Sequence, residues 1–242
     1  MKRISILMIS IVCMVLSFSG CNNDVNKDAE NDFKNPHEHV GIEHNENLRI
    51  VLSNLTIIPQ DAKEIKSEVV SILKNNGIGN HLKSASNYDE IDVQIPDFPN
   101  TLHELNIEDW INSLPYSDKL KSEALVTIEL LKDFNSIEEL SVILVEREKQ
   151  ASSLFAGEEL RLYYEHLAVA RYSAIFWSSS KIGGEDGLKS FSDLSIQLDG
   201  GNREKLKSIN GWKVLAVDCI GGWMGGPVGY IGASAISAIM QM

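Results

Sequence analysis

Three histidines near the start of the expected folded body have types and spacing that suit metal chemistry. They are His37, His39 and His44, and glutamates lie between and beside them. Imidazole and carboxylate groups are ligands that zinc and copper accept. In an extended segment His37 and His39 would point the same way, and His44 could then close a small site with them.

The same three histidines also fit a polar segment without a metal. No second group of ligands follows at metal spacing, such as His-Glu-x-x-His. We therefore predict no metal and no other cofactor, and keep His37, His39 and His44 as the candidates if a metal does bind.

A fourth histidine, His166, follows Glu165 in a long helical pattern. Neighbouring residues on a helix do not share a face, so the two are poor partners for proton transfer. The sequence contains no nucleophile elbow, no P-loop and no dinucleotide fingerprint. We predict that the protein is not an enzyme.

Cys13 and Cys21 lie in an N-terminal segment that has the pattern of a targeting signal. Lys2 and Arg3 precede an apolar run from Ile4 to Phe18, which is too short for a comfortable membrane span. Ser19-Gly20-Cys21 follows, and the whole resembles a bacterial lipoprotein signal. The resemblance implies that Cys21 is lipidated after residues 1–21 are recognised as a signal peptide. The alternative is a simple N-terminal membrane anchor.

Residues 22–34 are polar and acidic and predict a solvated tether. Acidic residues after a lipidated cysteine resemble the surface-export signals of Bacteroidota lipoproteins, and Asn22 argues against retention at the inner membrane. The resemblance implies an outer-membrane or cell-surface location, with the membrane contacted through the N-terminal lipid. The formal net charge of −12, from 34 acidic and 22 basic residues, argues against a nucleic-acid partner.

Apolar residues at helical spacing dominate residues 35–210, and strand signals are weak. We predict an all-α bundle of about six to eight helices over this range. Ser117 and Ser136 are expected to cap helices. The expected helices are 45–55, 61–76, 106–114, 117–131, 136–154, 157–177 and 188–198.

The segment 211–242 is rich in glycine, and the 24 residues after Asp218 carry no charge. Pro227 is expected to divide it into two short helices. Small residues at four-residue spacing would let a second backbone approach closely. The members of this stripe are Gly221, Gly222, Gly225, Gly226, Gly229, Ala233 and Ser237.

Two interpretations of this stripe stay open. In one, a helical hairpin packs against the protein's own bundle. In the other, the segment inserts into a membrane, binds a partner protein or associates with a second copy.

The segment from Asn35 to Asn45 reads as a structural lock. Pro36 would stiffen it, Gly41 would allow a tight turn, and Asn45 would cap the helix that follows. His44 could donate to a carbonyl or carboxylate elsewhere in the fold.

Asp218 is the one charged residue between Val214 and the C-terminus. A buried charge usually needs a partner, and we predict that Arg171 on the longest helix supplies it.

Three stretches carry a further resemblance. They are Asn-Pro…Gly…His-Asn at 35–45, Leu-Ala-Val-Ala-Arg-Tyr-Ser at 167–173 and Gly-Trp-Lys leading into the glycine-rich tail at 211–213. Together they resemble an uncharacterised group of Bacteroidota lipoproteins with a bacteriocin-like, glycine-rich C-terminus. The resemblance implies a helical lipoprotein and carries no activity with it.

The expectation is therefore a non-enzymatic lipoprotein of the cell envelope that acts as a binding or structural module. The alternative is a membrane-active, bacteriocin-like or immunity-type protein that acts through residues 211–242.

Overall fold

The computed structural model describes residues 33–56, 61–78, 95–99, 104–198 and 211–241. Cys21, the predicted signal peptide, the predicted tether up to residue 32 and residues 199–210 lie outside these ranges. Residues 35–242 form one compact unit.

The described residues form eight α-helices and no strand, as the all-α prediction requires. In chain order they are α1 (Glu38–Ser53), α2 (Ala62–Asn75), α3 (Ile107–Ser113), α4 (Asp118–Lys132), α5 (Ile137–Leu154), α6 (Gly157–Trp177), α7 (Gly187–Leu198) and α8 (Gly211–Ile239).

Several helices begin at capping side chains, and two of these, Ser117 and Ser136, were predicted from the sequence. The side chains of Asp61, Ser117 and Ser136 accept hydrogen bonds from backbone N–H groups three residues on. Asn106 caps α3 in the same way. These bonds satisfy donors that a helix start would otherwise leave unpaired.

Helix α6 lies at the centre of the bundle, because every residue from Leu162 to Ala170 is buried. It packs against α1, α4, α5 and α8. A helix that is buried on all sides needs neighbours on all sides, and α6 has them.

Helix α8 is two helices joined by a sharp bend. Its backbone leaves the helical conformation at Gly225 and Gly226, just before Pro227. Gly226 has a φ of +60°, a conformation that favours glycine. The predicted break is therefore present, and we call the two parts α8a (211–224) and α8b (228–239).

The two parts of α8 fold back on each other as a hairpin. A Cβ atom on Gly221 would come within 2.6 Å of the Gly229 carbonyl oxygen and 2.4 Å of the Ala233 Cβ. The small residues therefore permit close contact within the protein itself. The hairpin is buried and packs against α1, α2, α3, α4 and α6.

The predicted lock at 35–45 is wrong in its details. Helix α1 begins at Glu38, so Gly41 and Asn45 both lie inside it. Gly41 forms no turn and instead lets α1 approach α6, since a Cβ there would lie 2.6 Å from the Ala168 carbonyl oxygen. Pro36 lies in the turn before α1. Asn45 caps no helix and bonds to α6 instead.

Candidate functional site

A cluster of buried polar residues surrounds Asp218 where α1, α6 and α8 meet. The Oδ2 atom of Asp218 accepts hydrogen bonds from the Ser173 hydroxyl and, at 2.9 Å, from the Trp177 indole N–H. The Nε2 atom of His44 lies 3.9 Å from the same oxygen. We call these four residues, with Ser234 of α8b, the Asp218 cluster.

Burial dominates the acid–base chemistry of the cluster. Asp218, Ser173 and Ser234 are fully buried and His44 is 2% exposed. Burial raises the pKa of Asp218, and the hydrogen bonds from Ser173 and Trp177 oppose this. Burial lowers the pKa of His44, although the nearby Asp218 carboxylate works in the other direction. The two shifts both favour neutral groups, as expected away from water.

The orientation of His44 is fixed by Asn45. The Asn45 amide nitrogen donates to the Tyr172 carbonyl oxygen at 2.7 Å, so the Asn45 amide oxygen is left as an acceptor. That oxygen lies 3.0 Å from His44 Nδ1. Nδ1 must therefore carry a hydrogen, and in the neutral ring Nε2 is left with a lone pair.

Arg171 does not pair with Asp218, so that prediction is wrong. Its Nη2 atom lies 3.3 Å from a carboxylate oxygen of Glu38 and 3.3 Å from one of Glu148. Asn35 donates to the same Glu148 oxygen at 2.8 Å. Successive residues Arg171, Tyr172 and Ser173 leave α6 in different directions, so Arg171 serves a second cluster beyond the reach of Asp218.

The three candidate metal ligands do not converge. His44 faces Asp218 in the core, whereas His37 Nδ1 lies 3.7 Å from Glu165. The rings of His37 and His39 are 6.1 Å apart, and His39 is exposed. Within the described ranges no group of three His, Cys, Asp or Glu side chains is arranged to hold a metal.

His166 is a buried structural histidine in this fold. Its Nδ1 atom lies 3.0 Å from the Cys219 carbonyl oxygen on α8a. Burial lowers the pKa of His166 to about 4. The neighbouring Glu165 bonds to Arg161, so the two adjacent residues act in different places.

Replacing His166 with asparagine is expected to flatten the acid side of the stability profile. The unfolded chain binds a proton on this residue below pH 6.5, whereas the folded chain does so only near pH 4. The wild type therefore loses stability as the pH falls through this window, by about 2 to 3 kcal/mol. Asparagine keeps an N–H donor for Cys219 and does not titrate.

Urea unfolding at pH 7.5 and pH 4.5 measures this effect. The wild type is expected to exceed His166→Asn in unfolding free energy at pH 7.5, and this difference should shrink or reverse at pH 4.5. All other acidic and histidine side chains are present in both proteins, so the comparison isolates His166. Parallel profiles would show that His166 is not the buried neutral group described above.

A groove lies on the other side of Trp177. It encloses about 940 Å³ and is lined by side chains from the end of α4, the segment after α6, the start of α7 and the start of α8. Trp212 lies in its wall with the Lys132 ammonium 5.0 Å from the ring centre. Trp177 thus lines the groove and also donates to the buried Asp218.

The residue types of the Asp218 cluster match those of a hydrolytic triad, but their contacts do not. The Ser173 hydroxyl donates to the aspartate, whereas a nucleophilic serine would donate to the histidine. Ser173 is also fully buried, so no substrate can reach it. The arrangement can hold helices together, and the groove beside it can hold a ligand.

Sequence reasoning missed Ser173 and Trp177 as hydrogen-bond donors to Asp218, and Ser234 as its neighbour. The available signal was a serine four residues before Trp177 on the longest helical pattern. In comparisons with protein-family models, curated proteins and solved structures, nothing matches this chain.

Proposed function

We propose that this protein is a lipid-anchored binding module of the bacterial cell envelope. In this proposal Cys21 carries the lipid, residues 22–34 form a tether and the helical body presents the groove beside Trp177 and Trp212. The groove is the observation that carries the proposal of binding, and the N-terminal sequence supports the proposal of a lipid anchor.

The groove has the size of a small-molecule site, and its lining mixes apolar and polar side chains. Ligand pockets typically enclose about 300–1,000 Å³ and combine aromatic surface with a few polar groups. Here Trp212 and Phe134 supply aromatic surface, and the three lysines of the lining outnumber its two aspartates, Asp133 and Asp186, so that the charge is positive on balance. This favours an amphipathic ligand with an aromatic or ring-shaped part and an anionic group.

The dye 8-anilinonaphthalene-1-sulfonate is a suitable first probe because it combines an aromatic body with a sulfonate. We expect it to bind the folded chain at one site, and Trp212→Ala to weaken that binding at least tenfold. Trp110→Ala is the control, because Trp110 packs on Phe98 outside the groove lining. Equal loss in both variants, or no saturable binding to the wild type, would count against the groove as a ligand site.

Lipid attachment has its own test in a bacterial host supplied with labelled palmitate. The wild type is expected to take up label and to fractionate with membranes, and Cys21→Ser is expected to take up none. Cys13→Ser is the matched control and should behave like the wild type, since Cys13 lies inside the proposed signal. Membrane fractionation of the wild type without label would argue for the simple N-terminal anchor, and label on the Cys21→Ser chain would show that Cys21 is not the lipidated residue.

A second candidate function rests on α8. Among the described helices, Gly211–Ile239 is the one long and apolar enough to cross a membrane, by length and composition alone. This favours the membrane-active alternative. Against it, 78% of the most apolar stretch of α8 is buried inside the bundle, as in the core helix of a soluble protein.

A further inference from the structure

Three polar atoms of the Asp218 cluster have no hydrogen-bond partner among the described protein atoms. They are His44 Nε2, Asp218 Oδ1 and Ser234 Oγ. All three belong to residues that are at least 98% buried. The Ser234 hydroxyl interacts with the Asp218 carboxyl and lowers its pKa, yet it reaches no acceptor with the distance and angle of a regular hydrogen bond.

Leaving these atoms unpaired would be expensive for the fold. An unsatisfied buried donor or acceptor costs about 1–3 kcal/mol, and more when the group is charged. His44 and Asp218 cannot satisfy each other directly, because a separation of 3.9 Å exceeds the length of a hydrogen bond. Buried polar atoms that cannot reach one another are satisfied by a buried water where two to four of them surround one position.

We propose that the Asp218 cluster binds one internal water molecule that contacts His44 Nε2, Asp218 Oδ1 and Ser234 Oγ. With Asp218 ionised, the water donates one hydrogen to the lone pair of Nε2 and one to Oδ1. It accepts the hydrogen of the Ser234 hydroxyl. Each of the three atoms then has one partner, and the water has the three that buried waters usually make.

The same water position also satisfies the three atoms when Asp218 is protonated. Oδ2 already accepts from Ser173 and Trp177, so the proton must lie on Oδ1. Oδ1–H then donates to the water, which donates to His44 Nε2 and to Ser234 Oγ. His44 stays neutral with its hydrogen on Nδ1 in both cases, because the Asn45 oxygen requires a donor there.

This water is a joint between three helical segments. His44 belongs to α1, Asp218 to α8a and Ser234 to α8b. The water therefore links both arms of the buried hairpin to the helix that follows the N-terminal tether. It lies one side chain away from the groove, since Trp177 lines the groove and donates to Asp218.

Nitrogen NMR of the full chain with labelled histidine tests the proposal without any substitution. We expect His44 to show a protonated Nδ1 and a lone pair on Nε2 at pH 7. We also expect a crystal structure of the full chain to show an isolated water within about 3.2 Å of the three atoms. The NMR result would overturn the proposal if His44 carried a hydrogen on Nε2 or on both ring nitrogens. The crystal structure would overturn it if the density at this position were that of a metal, or if the three atoms contacted one another directly with no water between them.

Removing the Ser234 hydroxyl allows an independent test of the bound water in solution. Oxygen-17 relaxation dispersion of water counts long-lived internal waters, and Ser234→Val should lower the count by one because its methyl groups occupy the space. Ser237→Val is the matched control on α8b: Ser237 is also fully buried, and its hydroxyl bonds within the helix to the Ser234 carbonyl. An equal count in wild type and Ser234→Val would overturn the proposal, and so would an equal loss in both variants.

Discussion

A chain that ends at Asn210 is expected to lose its cooperative fold. The deletion removes α8, in which 22 of 29 residues are buried and which packs against five of the other described helices. Each large apolar side chain that loses its burial costs about 1.5–3 kcal/mol. The unfolding free energy of a folded domain is only about 5–15 kcal/mol, so the summed loss of burial exceeds it.

Circular dichroism and urea unfolding measure this result. The control is a chain that ends at Ile239, which keeps every buried residue of α8 and should unfold cooperatively like the full chain. The shorter chain is expected to show reduced helicity and no unfolding transition. A cooperative transition in the chain ending at Asn210 would mean that α8 docks on a bundle that is stable alone.

The same chains separate the two candidate functions. A folded binding module with α8 in its core is expected to leave dye-loaded liposomes intact. Leakage caused by the full chain, and abolished in the chain ending at Asn210, would favour the membrane-active alternative. Leakage caused by both chains would point to exposed apolar surface after unfolding and would favour neither function.

Local signals in this sequence predicted local structure well. The caps at Ser117 and Ser136 depend on residues three apart, and the break before Pro227 depends on the chemistry of proline and glycine. Such features are decided within one turn of helix. The amphipathic pattern likewise predicted the all-α class.

Side-chain partners across the bundle were not predictable in the same way. Asn45 was expected to cap a helix because asparagine is a good cap, but α1 begins earlier and α6 offers the Tyr172 carbonyl oxygen. Arg171 was assigned to Asp218 because Asp218 is the lone charge of an apolar segment and Arg171 lies on the longest predicted helix. Glu148, a buried glutamate on α5, gave no sign in the sequence that it would take that arginine.

The glycine stripe shows most clearly what the sequence does not predict. Small residues such as Gly221 and Ala233 indicate that another backbone packs closely against them, but their spacing does not identify that backbone. The partner is the other arm of the same hairpin, because the bend at Gly225 and Gly226 brings α8b back onto α8a. Membrane insertion, a partner protein and this hairpin all present the same spacing of small residues.

Removal of the Asp218 side chain is expected to cost about 3–5 kcal/mol, because Asp218→Ala leaves the buried donors of Ser173 and Trp177 without an acceptor. Urea unfolding near neutral pH measures the loss. Asp218→Asn keeps a side-chain oxygen for one or both donors and should lose clearly less. Equal losses in the two variants would mean that Ser173 and Trp177 gain little from Asp218 as an acceptor.

A double-mutant cycle identifies which partner Asp218 has. Ser173→Ala combined with Asp218→Ala should cost less than the sum of the single losses by about 1–2 kcal/mol, because either change alone already breaks the shared bond. Arg171→Met combined with Asp218→Ala should be additive within about 0.5 kcal/mol, since Arg171 bonds to Glu38 and Glu148 instead. Strong coupling between the Arg171 and Asp218 substitutions would support the pairing predicted from the sequence. Coupling between the Ser173 and Asp218 substitutions, with additive effects of Arg171 and Asp218, would show that the buried carboxylate connects α8 to α6 through Ser173.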